Sequence, residues 1–277
     1  MVATSPYVLD PDDPRAPTEP QWAAMSEGER ARVVAGLPAE MPWELHPPEG
    51  DDHRDAKDKA RDALDEHFRR KGRRVYVSSE LTTYYPGERR ICPDVLAVTD
   101  VALHPRQSWV VSREGKGFDF VLEVHVSGDA RKDFEQNVVR YASLGIPEYF
   151  AFDRPRGRLW GWHLPESATA YQRHVPQRGR LSSAVLGLEL TVEDGRVRFY
   201  EGNAPLLFAD ELVGRLEKTI DRLIEARDFE AQRAEQEAQR AEQEAQRADR
   251  EAARAKELEQ ELERLRREAD ERGAGRR

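Results

Sequence analysis

A heptad repeat near the C-terminus limits what this chain can fold into more than any other feature. The heptad Ala-Gln-Arg-Ala-Glu-Gln-Glu begins at Ala231, repeats identically from Ala238 and returns as Ala-Gln-Arg-Ala-Asp-Arg-Glu from Ala245. Apolar residues recur along it in alternating steps of three and four, which places them on one side of an α-helix. The repeat therefore predicts a long helix over residues 211–272, outside any globular core.

The apolar stripe of this predicted helix changes from alanine to leucine. It runs through Ala231, Ala234, Ala238, Ala241, Ala245, Ala248, Ala252, Ala255, Leu258, Leu262 and Leu265. A buried alanine methyl contributes about 0.8 kcal/mol and a buried leucine about 1.5–3 kcal/mol, so the leucine end should carry most of any association. The stripe predicts a homodimeric coiled coil. A single solvated helix stabilised by Glu and Arg pairs is the alternative.

The globular core must come from the segment before this helix. Charged residues make up 35% of the chain and apolar residues 38%, but the large apolar side chains concentrate between Arg73 and Phe208. We expect one domain over residues 21–210. Residues 1–20 contain five prolines and predict a disordered leader, and residues 273–277 predict a disordered end.

Charge and cysteine content narrow the class of protein. The net charge of -9 disfavours a protein that coats DNA by phosphate neutralisation alone, although an acidic cluster can bind a metal ion that contacts phosphate. Cys92 is the single cysteine, which favours a reducing compartment. Without a signal-type or membrane-length apolar run, the sequence predicts a cytoplasmic protein with no membrane partner.

The remaining pattern predicts an α+β (mixed α/β) fold. Helical periodicity is expected over residues 21–37, over 52–70 with Gly72 ending the helix, and over 129–144 with Gly145 after it. Segments rich in β-branched and aromatic residues predict strands. They cover residues 74–85, 95–98, 109–111, 118–126, 148–153, 159–163, 171–174, 188–192 and 196–200. The expected architecture is a sheet flanked by helices.

Two acidic residues within this predicted sheet point to chemistry. Asp94 follows Pro93 at the start of one strand, and Glu123 interrupts the apolar run of another. A carboxylate in an apolar strand is costly to bury unless it is paired or binds a metal ion. The pair is consistent with a divalent-cation site, while a strand cap at Asp94 and an arginine partner for Glu123 form the structural alternative.

A wider set of motifs resembles a known family. Pro93-Asp94, then Glu123-Val124, then a helix ending at Tyr141 and the segment Gly-Ile-Pro-Glu-Tyr-Phe followed by Asp153 are similar to the Uma-two family of bacterial endonucleases. That family is a branch of the PD-(D/E)xK restriction-endonuclease-like superfamily. The resemblance covers roughly residues 42–190 and implies a restriction-endonuclease-like sheet.

The resemblance also implies roles for individual residues. Asp94 and Glu123 are implied metal-binding acids, with the carbonyl of Val124 as a further ligand to Mg²⁺ or Mn²⁺. Supporting positions are Glu80 on an earlier strand, Asp133 and Tyr141 on the helix, and His53 on the first long helix. The implied function is metal-dependent hydrolysis of DNA phosphodiester bonds.

This chain departs from the family pattern at the lysine. His125 stands two residues after the glutamate, and Asn137 stands four residues before Tyr141, so neither expected position holds lysine. Lysine there would orient water and balance developing negative charge. His125 and Asn137 are candidate replacements, and Lys132 or Arg140 could reach in from the same helix. A catalytically weak or inactive domain that assembles through its coiled coil is therefore the alternative function.

Overall fold

A computed structural model describes residues 6–42 and 50–274 of the chain, and its side chains up to residue 267. Residues 1–5 and 275–277, at the ends of the predicted leader and of the predicted disordered end, lie outside the described residues. The chain divides into two units, of which the first ends at Glu211 and the second begins at Leu212.

The N-terminal helix is split where one helix was predicted over residues 21–37. Helix α1 spans Glu19–Ala24 and α2 spans Glu27–Gly36. Ser26 separates them because its hydroxyl accepts from the Glu29 backbone N–H at 3.4 Å, while the Glu29 carboxylate accepts from the Ser26 N–H at 2.8 Å. This reciprocal cap satisfies the first free amides of a new helix and so begins one.

The prediction of a disordered leader needs correction for its described part. Ala16 pairs with Pro86, and its carbonyl accepts from the Gly87 N–H at 3.0 Å. Arg15 donates to the Gly87 carbonyl at 3.1 Å. Ala16 is also buried in a small apolar cluster with Tyr84. Backbone pairing to a turn distant in sequence therefore attaches the leader, and proline content could not reveal that.

A long amphipathic helix, α3, covers one face of the main sheet. It spans Asp51–Lys71 and ends at Gly72, which has a φ of 65°. A side chain would strain that left-handed conformation, so the glycine is the residue type that stops the helix cheaply. Ala60, Leu64 and Phe68 form its buried stripe, in agreement with the predicted helix over residues 52–70.

The main sheet contains six strands. In chain order the elements are β1 Val75–Ser78, β2 Thr83–Tyr84, β3 Val95–Thr99, β4 Trp109–Val110, α4 Val111–Glu114, β5 Phe120–His125, α5 Asn137–Ser143, β6 Glu148–Asp153, β7 Arg158–His163 and β8 Gln172–Arg173. The spatial order is β1-β3-β5-β6-β7-β8. Strands β5 and β6 run parallel, and every other neighbouring pair is antiparallel. Strands β2 and β4 form a separate parallel pair.

The helix predicted over residues 129–144 begins with a wide turn. Residues Lys132–Gln136 are π-helical, and the Asn137 N–H donates to the Lys132 carbonyl. Helix α5 follows and precedes Gly145, whose φ is 72°. The extra residue in the turn changes the helical phase, and Asp133 and Asn137 are both buried. Such turns are frequent at functional sites.

A second sheet packs onto the same apolar core as α3. It consists of β9 Leu181–Ser183, β10 Leu188–Glu193, β11 Arg196–Glu201 and β12 Ala204–Pro205, in the order β12-β11-β10-β9. Glu148 of β6 joins the sheets because its carboxylate accepts from the Ser183 hydroxyl and from the Ala184 N–H at 2.7 Å. The mixed α+β fold predicted from the sequence is confirmed.

Alternation along β5 sets which side chains face the candidate site. Phe120, Leu122 and Val124 belong to the core formed with α3 and the second sheet. Val121 belongs to the opposite core, which includes Tyr141 of α5. Because successive side chains in a strand point to opposite faces, Glu123 shares the face of Val121 and meets α5.

The last element among the described residues is a long helix, α6, which spans Ala209–Ala274. Its large apolar side chains are exposed within the single chain. They include Val213, Leu216, Ile220, Leu223, Ile224, Phe229, Leu258, Leu262 and Leu265. Across residues 6–42 and 50–274, no helix combines the length and the apolar character that crossing a bilayer requires.

Candidate metal centre

Asp94 and Glu123 lie side by side at the start of β3 and within β5. The Asp94 backbone N–H donates to Oε2 of Glu123 at 3.2 Å. In return, Oδ2 of Asp94 accepts from the Val124 backbone N–H at 2.6 Å. Both side chains are buried, with 7% and 4% of their surface exposed. The antiparallel pairing of β3 with β5, two internal strands of the sheet, therefore holds the two acids next to each other.

The backbone of Val124 also faces this pair of acids. Leu122 pairs with Val95 in the ladder, and Val124 lies two residues further along β5, where the Asp94 side chain takes its N–H. In an antiparallel ladder the N–H and C=O of one residue point to the same side. The Val124 carbonyl is therefore directed toward Asp94, as a ligand of a shared cation would be.

Two further side chains orient the acids. His53 of α3 donates from Nε2 to Oδ2 of Asp94 at 3.0 Å. Tyr141 of α5 donates its hydroxyl to Oε1 of Glu123 at 2.5 Å. Hydrogen bonds from a second layer of residues fix carboxylate ligands and tune their affinity for a metal ion. The helices on both faces of the sheet thus contribute to one site.

Lys57 is a candidate site residue that was not predicted from the sequence. It lies on α3 with only 2% of its surface exposed, and Nζ is 2.5 Å from Oε1 of Glu80. The Glu80 N–H donates to the Pro93 carbonyl at 3.1 Å, which places the pair beside Asp94. The sequence does contain a sign of this: Lys57 lies three residues before Ala60, so a charged residue occupies a position in the apolar stripe of α3.

Cys92 lies within the field of these charges. Burial raises the pKa of its thiol to about 12, with further increases from the carboxylates of Glu80, Glu123 and Asp94 and an opposing effect of Lys57. One sulfur atom is therefore influenced by three acids and one lysine. The thiol stays neutral at physiological pH and is a poor nucleophile there.

His125, Asn137 and Asp133 form a separate hydrogen-bonded group. Asp133 accepts from Nδ1 of His125 at 3.3 Å and from the amide of Asn137 at 3.4 Å. Tyr149 donates to the Asp133 backbone carbonyl at 2.7 Å. The two residues at the expected lysine positions therefore contact Asp133, and in the described chain they form no hydrogen bond with Asp94 or Glu123.

A cavity of about 450 Å³ opens next to Glu123 and Tyr141. Lys132 and Arg140 line it, so the π-helical turn and α5 bring two cations to the same space as Glu123. Arg140 donates to the Arg89 carbonyl at 2.8 Å, whereas Lys132 is exposed. Lys132 also lowers the raised pKa of Glu123. Of these two cations, Lys132 is better placed to meet a ligand.

The electrostatics of the centre favour an added positive charge. Burial, followed by the charges of Asp94 and Asp133, raises the pKa of Glu123 well above its ordinary value. Burial also raises the pKa of Asp133, with a contribution from Asp94. Carboxylates of like charge near one another resist ionisation together. A divalent cation would offset this repulsion and hold Glu123 ionised.

The candidate donors at this pair are carboxylate and carbonyl oxygens. Within residues 6–42 and 50–274, no three His, Cys, Asp or Glu side chains are arranged to hold a metal ion. Zinc sites in proteins commonly use three or four such ligands, whereas Mg²⁺ is often held by one or two carboxylates and keeps several waters. Asp94 and Glu123, with the Val124 carbonyl, fit the second pattern.

A Glu123→Gln variant should reveal the cost of this buried charge. Because burial raises the pKa of Glu123 in the folded chain, the folded chain binds this proton more tightly than the unfolded chain does. The free energy of unfolding should therefore fall as pH rises from about 4.3, the ordinary glutamate pKa, toward the folded-state pKa. In EDTA at pH 8 the variant should melt at a higher temperature than the wild type, with the difference shrinking toward pH 5.

Thermal melts between pH 5 and pH 8.5 measure this effect. Added Mn²⁺ should raise the melting temperature of the wild type at pH 8 and raise that of Glu123→Gln much less, since the variant keeps only one of the two candidate carboxylate ligands. A variant that melts below the wild type at pH 8 in EDTA would show that the hydrogen bonds of the carboxylate outweigh its burial.

Comparison with known proteins bears on the same residues. Residues 20–193 match the Uma2 (Uma-two) family, described as "Putative restriction endonuclease", and this range contains Asp94 and Glu123. Among solved structures, a putative nuclease belonging to DUF820 from Anabaena variabilis ATCC 29413 is similar, with 10% sequence identity and a TM-score of 0.40. That alignment covers 50% of this chain and 75% of the other chain. The search of curated proteins found no match.

Proposed function

Because the chain belongs to the Uma2 family of putative restriction endonucleases, we propose that it hydrolyses DNA phosphodiester bonds with Mg²⁺ or Mn²⁺. The observation that carries the proposal is that Asp94 and Glu123 have buried carboxyl groups side by side, where the Asp94 backbone N–H donates to the Glu123 side chain. A bound cation would supply a polarised phosphoryl oxygen and an activated water. Asp94, Glu123 and the Val124 carbonyl are its proposed ligands.

The neighbouring residues have distinct proposed roles. His53 and Tyr141 orient the two carboxylates through the hydrogen bonds at 3.0 Å and 2.5 Å. Lys132 borders the cavity beside Glu123 and can meet a phosphate directly, since it is exposed. Lys57 is buried, and its ion pair with Glu80 holds its positive charge in place. These two lysines are our candidates for the charge that His125 and Asn137 do not supply.

A plasmid-nicking assay tests the proposed activity. Supercoiled DNA should be nicked by the purified full chain with Mg²⁺ or Mn²⁺, and EDTA should abolish the reaction. Mn²⁺ binding measured by calorimetry gives an independent reading of the cation site. The proposal is wrong if the chain does not nick DNA and also does not bind Mn²⁺ at millimolar concentrations of the cation.

One observation favours the alternative function. His125 and Asn137 bond to Asp133, so neither replaces the family lysine beside Glu123. A domain that keeps the fold but cleaves weakly or not at all, and acts by binding a partner through an assembled coiled coil, would fit this arrangement. Mn²⁺ binding without detectable nicking, together with self-association, would support it over the endonuclease.

We also propose that α6 joins two copies of the chain. Val213, Leu216, Ile220 and Ile224 are exposed near its start, as are the leucines near its end, so apolar side chains flank the alanine-rich middle. Helices with apolar residues spaced by three and four bury them by pairing. Nucleases that cut both strands often act as dimers, which would give the helix a purpose.

Removing α6 should convert a dimer to a monomer. A chain ending at Glu211 retains the first compact unit and the hydrogen bond from Arg198 to Glu211. A chain ending further along α6 would still carry exposed apolar side chains such as Leu216, which could pair. Light scattering should give the mass of one chain for the shortened protein and the mass of at least two chains for the full-length protein. DNA affinity should barely change, because the charges of the helix are nearly balanced.

Leu262→Lys provides the matched control within the full chain. A charge at the leucine end should dissociate the dimer without altering the melting temperature of the first unit. If both the full-length and the shortened protein have the mass of a single chain, the single solvated helix is the correct description.

The cytoplasmic location expected from the single cysteine also remains our proposal.

A further inference from the structure

A second groove, of about 500 Å³, combines arginines with aromatic rings. Arg131 and Phe134 lie beside and within the π-helical turn. Arg156 lies between β6 and β7, Arg158 and Trp160 belong to β7, and Arg173 belongs to β8. The guanidinium of Arg173 lies 3.7 Å from the centre of the Trp160 ring. A planar cation is thus stacked on an aromatic face that is only half buried.

The groove is connected to the candidate metal centre through Phe134. The Phe134 ring packs edge-on against His125, with ring centres 5.8 Å apart, and against Trp160, with ring centres 6.2 Å apart. His125 in turn contacts Asp133, whose charge contributes to the raised pKa of Glu123. Phe134 therefore links the groove to the residues around Asp133 through packed rings.

The charges of the groove leave arginines available to a ligand. Arg156 pairs with Asp153 at 3.0 Å and Arg131 pairs with Asp129 at 2.9 Å, so these two are partly neutralised. Among the described residues, Arg158 and Arg173 form no ion pair, and both are exposed. Glu135 is the other acid on the rim. Two unpaired guanidinium groups next to a half-buried tryptophan favour an anionic ligand that also has flat rings.

We propose that this groove binds a short segment of single-stranded nucleic acid, with phosphates at Arg158 and a base stacked on Arg173 and Trp160. Bases stack on aromatic rings and on guanidinium planes only where they are unpaired, since duplex bases already stack on one another. The inference rests on the proposed nucleic-acid substrate, but it does not require phosphodiester cleavage. It specifies that the part of the nucleic acid lying in this groove is single-stranded.

Fluorescence anisotropy of the full chain in EDTA tests this inference without cleavage. The probe is a fluorescein-labelled 15-nucleotide oligothymidylate, and a duplex of equal length is the comparison. Arg158→Gln and Arg173→Gln should each weaken single-strand binding about 10-fold, and Trp160→Leu should weaken it by a similar factor. Arg158→Gln should lower the slope of log K against log salt concentration by about 0.7, the share of one phosphate contact on a single strand, whereas Arg173→Gln should leave that slope nearly unchanged.

Arg180→Gln is the matched control. Arg180 stacks on Tyr200 at 3.6 Å in the second sheet, so it repeats the arginine-aromatic geometry outside the groove. This variant should bind the oligonucleotide like the wild type. Trp160 is half buried and its replacement could disturb folding, so the exposed Arg158 and Arg173 variants, checked by thermal melts, decide the result if Trp160→Leu melts early.

Three outcomes would overturn the inference. The first is unchanged single-strand affinity in the Arg158 and Arg173 variants, and the second is equal loss in Arg180→Gln. The third is binding of the duplex or of polyglutamate as tightly as the single strand, with no effect of Trp160→Leu, which would indicate an unspecific anion surface. Plasmid nicking that persists beside any of these outcomes leaves the proposed function standing. Single-strand binding through the groove without nicking would instead contradict only the proposed activity.

Discussion

An Asp94→Asn variant should nick plasmid DNA at least ~10³-fold more slowly than the wild type, which corresponds to about 4 kcal/mol in the activation barrier. Asp94 contributes one of the two proposed cation-binding charges. Its Oδ2 also accepts from His53 and from the Val124 N–H at 2.6 Å. An asparagine keeps the shape but removes the charge, and it must still turn its oxygen toward these donors. The rate of nicking under single-turnover conditions with Mn²⁺ measures the loss.

Asp100→Asn is the control for this variant. Asp100 directly follows β3, at the opposite end of the strand from Asp94, and it is exposed with a φ of 60°. Asparagine adopts that left-handed conformation readily, so this variant should fold and nick like the wild type. Nicking that survives unchanged in Asp94→Asn would trace the activity to a contaminant or to another site.

A Lys57→Met variant should lose nicking activity about 10²-fold and bind Mn²⁺ at least as tightly as the wild type. Lys57 holds its charge beside the acids with a side chain only 3% exposed, and its partner Glu80 is 38% exposed. Removing this cation leaves developing negative charge at the phosphoryl group unbalanced. It also removes a repulsion that opposes cation binding. A fall in rate with a rise in cation affinity therefore identifies an electrostatic role.

Lys59→Met separates this role from general damage to α3. Lys59 lies two residues further along the same helix and pairs with Asp55 at 3.3 Å and Asp210 at 3.2 Å, away from the acids. It should leave both nicking and Mn²⁺ binding unchanged. If Lys57→Met weakens cation binding and nicking by the same factor, Lys57 only supports the local structure through Glu80.

Local pattern determined much of this protein. Steps of three and four predicted the helix that spans Ala209–Ala274, and Gly72 predicted the end of α3. Strand periodicity predicted the mixed sheet, and the unusual carboxylates of Asp94 and Glu123 predicted the place of the proposed metal site. These features follow from the sequence because helix periodicity, glycine conformations and the cost of a buried charge depend on residues close together in the chain.

Contacts between distant segments decided the rest. Attachment of the leader needed the pairing of Ala16 with Pro86, and the inward turn of Asp133 and Asn137 needed the π-helical geometry. Lys57 appeared in the sequence as a charged residue on an apolar stripe, but only the packing of α3 on the sheet brought it to Glu80. Sequence period fixes the face of an element on which a side chain lies. The partner that it meets there depends on strand register and on packing between elements, which no local pattern encodes.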